Sequence, residues 1–310
     1  MISIQTVVHL AGECIIMSIV CRLSFAEAMI VMRFFVASVL LLFQSTQGIA
    51  QQTLTAQIAD SAKVELGSKT AKGGFRNEDE IRDKFNQWTT DTEARAWLVA
   101  MRHDLAEIEK VTASKPHGEK ADVEVTVKTK AGETIDRISI KLVSSPNGFN
   151  QIDKRWLATY AKMWNMPPDV VAALKLYVGE TPPRAQCRDS RRMYLDELDA
   201  KTQSAVVTFF TAHKEEIVSD LLAGDGDHAA SWIMVTFKAT AEPRWVIRSS
   251  SDAIEHFASG DVQITKAGNL KIGHITMQRK GGDNGRPTAN MLQFKINPVE
   301  LFATMASESN

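Results

Sequence analysis

The chain has 310 residues, 44% hydrophobic and 24% charged, with 36 Lys+Arg against 37 Asp+Glu for a net charge of −1. This composition suits one sizeable globular body with an appendage, or two small domains. It excludes a globally basic nucleic-acid binder, so any DNA-binding face has to be a local patch. The three cysteines are Cys14, Cys21 and Cys187. Only one lies in the body, which excludes an internal disulfide framework there and a cysteine-based zinc site.

Residues 1–63 differ in texture from the rest. They hold three basic residues, Arg22, Arg33 and Lys63, and three acids, Glu13, Glu27 and Asp60. Within them 34–43 (FFVASVLLLF) is an uncharged apolar run of ten, preceded by Arg33 and followed by Gly48, Ile49 and Ala50. A basic residue, a short apolar core and small residues form the layout of a secretory signal, and the run is too short for an ordinary membrane span. Three readings stay open: an export signal starting at Met29 or Met32, a membrane-associated head, or a start codon placed too far upstream. The domain division expected is therefore 1–63 as a signal-like extension and 64–310 as the functional domain.

The body reads as follows in chain order. Residues 77–89 (NEDEIRDKFNQWT) form an amphipathic helix, capped by Asn77, with acids in its first turn and Ile81, Phe85 and Trp88 on one side. Residues 93–101 form a second helix. Residues 122–129 (DVEVTVKT) and 136–143 (DRISIKLV) alternate strictly and flank Ala131-Gly132, predicting a β-hairpin. A helix is predicted over 152–164, ended by 166–168, and one long helix over 203–222 ending near Gly224. Strands are predicted at 231–237, 244–247, 271–279 and 292–296, with the loop 281–285 (GGDNG) between the last two. Mixed helices and antiparallel strands make an α/β or α+β domain with one core.

Chemistry points to the hairpin. Asp122 opens one strand, and Ser139 and Lys141 share a face of the next. An acid on one strand with x-x-Lys on its neighbour is the layout of the PD-(D/E)xK nucleases. There a carboxylate holds Mg²⁺ against the scissile phosphate, and the ammonium orients water and adds positive charge. A solvated Asp and Lys face is the alternative reading of the same residues. The seven histidines form no H-x-x-x-H spacing, and the loop 281–285 lacks the Lys-Ser/Thr of a phosphate loop. Residues 271–295 form a local basic patch, with Lys271, Arg279, Lys280, Arg286 and Lys295 against Asp283.

The body resembles the HinP-type type II restriction endonucleases of the PD-(D/E)xK superfamily. The matching stretches are 64–75 (VELGSKTAKGGF), Asn77-Glu78, 141–143 (KLV) with 148–154 (GFNQIDK), 191–193, Gly226-Asp227, and above all 278–285 (QRKGGDNG) with 288–295 (TANMLQFK). The resemblance implies a restriction-endonuclease-like α/β fold, with a central mixed β-sheet flanked by helices. It implies Mg²⁺-dependent cleavage of double-stranded DNA at GCGC after the first G. In the family the site reads Ser-Asp and then Gln-x-Lys. Here Asp122 and Lys141 match, Ala121 replaces the Ser, and Ser139 replaces the Gln, which puts metal affinity or rate in doubt. A catalytically weakened DNA-binding relative is therefore the alternative, and an exported nuclease is another.

Catalytic residues expected are Asp122, Lys141, Ser139 and Glu78, with Asp122, Ser139 and Glu78 as metal ligands; Glu124 is a further candidate. Glu78 has an equal alternative as a first-turn acid favouring the helix dipole. Gln278, Lys280 and Arg279 are expected to contact bases or, as cations, only phosphates. Asn290 and Gln293 are lesser candidates. Phe149, between Gly148 and Asn150, is implied to be a wedge in a base step, with Gln151 on the bases beside it and Lys154 on phosphate or base. A core anchor is the alternative for Phe149. A restriction enzyme acts inside the cell, so a cytoplasmic location is expected, with a methyltransferase protecting the same site. The active form is a monomer or a homodimer. An intracellular function tilts residues 1–63 towards a start placed too far upstream.

Overall fold

The computed structural model describes residues 72–116, 120–145, 148–184, 187–282 and 286–303. All of them fall in the second of the chain's two units, Lys63–Asn310. The apolar head, the stretch 64–71 and Asp283, Asn284 and Gly285 lie outside the described residues. No helix among the described residues is long and apolar enough to cross a membrane.

Two five-stranded sheets carry the fold. The first has the order β1-β2-β3-β5-β6, with β1 (Ile108–Ser114), β2 (Val123–Thr129), β3 (Gly132–Val143), β5 (Trp232–Phe237) and β6 (Arg244–Ser249). It is mixed: β3 runs parallel to β5 and every other neighbour pair is antiparallel. The second has the order β4-β10-β9-β8-β7, with β4 (Asn150–Arg155), β7 (Val262–Ile264), β8 (Leu270–Ile272), β9 (Ile275–Arg279) and β10 (Leu292–Ile296), all antiparallel. The mixed sheet with flanking helices matches the expected fold class. The second sheet is an addition to it.

The first sheet is apolar on both faces. α1 (72–86) and α2 (Thr92–Ala100) cover one face, where Ile81, Phe85, Trp97 and Leu98 pack on Val123, Val125, Ile138 and Met234. The other face joins a larger core with α3 (Leu157–Met163), α4 (Pro168–Val178), α5 (Ala200–Ala212), α6 (Lys214–Leu222), α7 (Ser250–Ala258) and the second sheet. A strand buried on both faces reads as a continuous apolar run, and β5 (WIMVTF) does so.

Several expected boundaries move, each for a tertiary reason. The first helix begins by residue 72, so Asn77 is not its cap. Asn77 lies four residues before Ile81 on the buried side, and its amide faces Thr236 of β5. Asn77 Nδ2 donates to Thr236 Oγ1 at 3.0 Å and Thr236 Oγ1 donates to Asn77 Oδ1 at 3.2 Å. A reciprocal buried pair is costly to break on one side, because the survivor keeps its desolvation penalty. Asn77→Ala is expected to lower the unfolding free energy by about 1–3 kcal/mol in a urea titration.

The helix expected over 152–164 starts only at Leu157. Residues 150–155 are instead strand β4, because β10 pairs with them. Pro168, expected to follow a helix end, also opens α4 from its first turn, where its missing N–H costs nothing. The long helix over 203–222 is two, α5 and α6, broken at His213. The strand over 271–279 is two, folded at Gly273, whose φ is +53°. A Cβ there would lie 2.4 Å from the Phe257 carbonyl oxygen, so the turn needs glycine. β1, α4 and α7 were not among the expected elements.

Candidate active site

The β2–β3 hairpin forms as expected, in register from Val123↔Ile138 to Thr129↔Gly132. Asp122 sits one residue before β2, where its N–H still donates to the Ile138 carbonyl at 2.9 Å. That bond keeps its side chain against β3. The Ile140 N–H donates to Asp122 Oδ2 at 2.6 Å, and Ser139 Oγ donates to the same oxygen at 3.4 Å. Lys141 Nζ donates to Ser139 Oγ at 2.9 Å and lies 3.9 Å from Asp122 Oδ2. Asp122, Ser139 and Lys141 therefore form one unit. Ser139, fully buried, bridges the carboxylate and the ammonium.

The unit lines a cleft of about 380 Å³. Lys120, Asp153, Arg155, Asp220, Asp225 and His228 also line it. Lys120 is a feature the sequence did not single out. Its ammonium donates to the carbonyls of Ile152, at 3.1 Å, and Leu221, and lies 3.7 Å from Asp153. It thus ties the entry of β2 to β4 and to the end of α6. Gly224 leaves the space: its φ is +77°, and a Cβ would come within 3.0 Å of the Lys120 side chain. Burial first, and then the like charge of Lys141, push the Lys120 ammonium down to about 8, against the pull of Asp153.

The acids in the cleft are not equivalent. Asp153 is engaged, accepting from Tyr160 Oη at 2.5 Å and from Arg155 at 3.0 Å. Burial and the Asp153 charge hold the Tyr160 phenol well above its usual range. Asp220 accepts from Trp164 Nε1 at 2.7 Å. Asp122 Oδ1 and the Asp225 carboxylate carry no hydrogen bond from a described residue. With Asp220 Oδ1, which likewise carries no hydrogen bond from a described residue, they are oxygens in the cleft open to a hard cation, which takes carboxylates and keeps several waters. The donor set fits a Mg²⁺ ion held by one or two carboxylates, with water and phosphate completing its shell.

Glu78 is not part of this unit. It pairs with Lys115 at 2.9 Å and does not line the cleft. Glu124 pairs with Arg137 across the hairpin at 3.2 Å. Lys120, Asp220 and Asp225 join the site through contacts distant in sequence. Asp153 and Asp225 had a faint signal, since one lies within and the other borders stretches that carry the family resemblance.

The expected DNA-contacting residues separate by sheet face. Gln293 of β10 is paired with Lys154 of β4 on one side and Gln278 of β9 on the other. Lys295 is likewise paired with Gln151 and Thr276. Because side chains alternate along strands, Lys154, Gln293, Gln278, Lys295 and Thr276 share one polar face of the second sheet, while a β-bulge between Phe294 and Lys295 takes Gln151 out of that alternation. Burial pushes the Lys295 ammonium down. Arg279 belongs to the opposite face. Its guanidinium donates to the Val178 carbonyl at 2.8 Å and to Asn290 Oδ1 at 2.7 Å. Burial and then the nearby Arg192 and Arg191 charges push it below the usual arginine value. Lys280 follows β9 and is half-buried. Phe149 is 59% exposed. Its loop is tied to β3, since Asn150 Nδ2 donates to the Leu142 carbonyl at 2.9 Å.

The sequence pattern of the R.HinP1I restriction endonuclease family matches residues 101–302. No curated protein matches the chain. Among solved structures, the restriction endonuclease MspI in complex with its cognate DNA has a similar fold. The TM-score is 0.52 at 12% identity, over 71% of this chain and 87% of that one.

Proposed function

Since the chain belongs to the R.HinP1I restriction endonuclease family and is a type II restriction endonuclease, we propose that it cuts double-stranded DNA at GCGC, after the first G, with Mg²⁺ as cofactor. The observation that carries this reading is the convergence of Asp122, Ser139 and Lys141 on the cleft wall. A bound Mg²⁺ supplies Lewis acidity and lowers the pKa of water near the phosphate.

The chain's own residues do the rest. Asp122, fixed by the Ile140 N–H, provides a carboxylate that would hold the ion. Lys141 sits beside it, steadied by Ser139, where its ammonium donates to the attacking water or to a phosphate oxygen. Lys154 and Gln278 present ammonium and amide groups from one face of the second sheet, and Gln151 lies beyond a bulge near the start of β4. Such groups suit base edges and phosphates. Arg279 serves as a brace behind that face, and Glu78 is left out of the catalytic set.

A specific observation favours a second reading, a catalytically weakened DNA-binding relative. Ser139 is fully buried and its hydroxyl is already engaged with Asp122 and Lys141, while the family's Gln would reach further into the cleft. Digestion of a sequenced plasmid with Mg²⁺, followed by run-off sequencing of the ends, separates the two. Discrete ends at every GCGC, one base in from its 5′ edge, are expected. Binding without cuts would establish the second reading, and a smear would point to the relaxed specificity of an exported nuclease. The restriction reading carries a cytoplasmic location, a methyltransferase that protects the same site, and action as a monomer or a homodimer.

A further inference from the structure

Two imidazoles and a carboxylate meet at a place that does not line the cleft. His256 lies on α7, His274 in the turn between β8 and β9, and Glu300 opens the short helix α8 (Glu300–Ala303). His274 Nδ1 is 2.7 Å from Glu300 Oε2, and His256 Nε2 is 3.4 Å from the same oxygen. One ligand atom from each of the three lies within 4.8 Å of the others. The two rings stand 4.9 Å apart. All three side chains are half-buried.

The backbone holds this grouping in place. The His274 N–H donates to the Phe257 carbonyl at 2.9 Å, one residue from His256. The Gly273 N–H donates to the Asp261 carbonyl at 3.2 Å, and Gly273 packs too closely against the end of α7 to accept a Cβ. The Glu300 N–H donates to the Asn297 carbonyl at 3.2 Å. The ligands are therefore preorganised on three elements by contacts next to them in sequence. One atom of the group is unsatisfied: His256 Nε2 is buried and makes no hydrogen bond, although it points towards Glu300. A buried imidazole nitrogen that faces a carboxylate at 3.4 Å without a hydrogen bond is poorly satisfied, and a metal ion shared with that carboxylate would use it.

We infer that His256, His274 and Glu300 form a binding site for a transition-metal ion of the Zn²⁺ type, separate from the catalytic cleft. Two nitrogens and one carboxylate oxygen suit Zn²⁺, which takes such ligands at about 2.0–2.2 Å with solvent in the fourth position. Mg²⁺ prefers oxygen ligands and competes poorly there. The ion would staple the β8–β9 turn to α7 and α8. β9 carries Gln278 and leads to Lys280, so the staple would hold the base of the strand proposed to face DNA. The role is structural.

Full-length protein stripped with a chelator and titrated with Zn²⁺ against a chromophoric chelator tests this. One equivalent is expected to bind more tightly than about 10 μM, with a rise in Tm. Co²⁺ in its place should give the visible absorption of a four-coordinate site. His256→Gln, His274→Gln and Glu300→Gln should each weaken binding at least roughly ten-fold and abolish the Tm rise. Asp122→Asn should leave both unchanged. Circular dichroism of each variant secures its fold, and the wild-type Co²⁺ spectrum stands independently of any variant. Absence of Zn²⁺ uptake would overturn the inference. So would uptake that Asp122→Asn removes and the three cluster variants leave intact.

Discussion

Asp122→Asn is expected to reduce DNA cleavage by roughly a thousand-fold or more while specific DNA binding changes only a few-fold. The substitution keeps the size and shape of the side chain. Its amide oxygen can still accept from the Ile140 N–H, so the junction between β2 and β3 should survive. What disappears is the negative charge on the oxygen that faces the cleft. The neighbouring acids are held elsewhere, Asp153 by Tyr160 and Arg155, and Asp220 by Trp164 through one oxygen. Asp225 remains, but no hydrogen bond or ion pair joins it to Lys141. Single-turnover cleavage with Mg²⁺, beside a binding titration in Ca²⁺, reads the two effects separately. Cleavage within ten-fold of wild type would remove Asp122 from the catalytic centre.

This core of the site was legible because it is local. Asp122, Ser139 and Lys141 belong to one hairpin, and strict alternation over 122–129 and 136–143 fixes which side chains share a face. The walls of the cleft were less legible because they come from elsewhere in the chain. Lys120 acquires its role only when α6 ends beside it and Gly224 makes room. The second sheet was hidden for a similar reason. Ile152, Trp156, Tyr160 and Trp164 recur every four residues, and only pairing with β10 makes the first part of that stretch a strand. Likewise His256 and His274 have no ligand spacing in the sequence and meet only because Gly273 folds the chain back onto α7. The polar row Lys154, Gln293 and Gln278 lies on three strands whose order the sequence did not reveal.

Phe149→Ala is expected to weaken binding to the specific site by about a hundred-fold and to reduce DNA bending, while nonspecific binding stays nearly unchanged. The side chain is large, apolar and 59% exposed, so its removal opens no cavity and should leave the fold intact. The segment that carries it is nevertheless anchored: the Gly148 N–H donates to the Ser145 carbonyl at 3.1 Å, and Asn150 holds the Leu142 carbonyl. An exposed phenyl ring on a braced loop next to β3 is suited to enter a base step. Unstacking a step costs a few kcal/mol, offset by contacts that only the bent duplex can make. Nonspecific binding rests on cation–phosphate attraction, to which a phenyl ring contributes little. The ratio of specific to nonspecific affinity at fixed salt is therefore the telling quantity, and a fluorescence assay of DNA bending gives a second readout. Equal loss of both affinities would make Phe149 a general contact, whereas no loss in either would leave the loop outside the DNA interface. A fall in the ratio alone would place the wedge directly beyond the strand that carries Ser139 and Lys141, coupling distortion of the DNA to the position of its scissile phosphate.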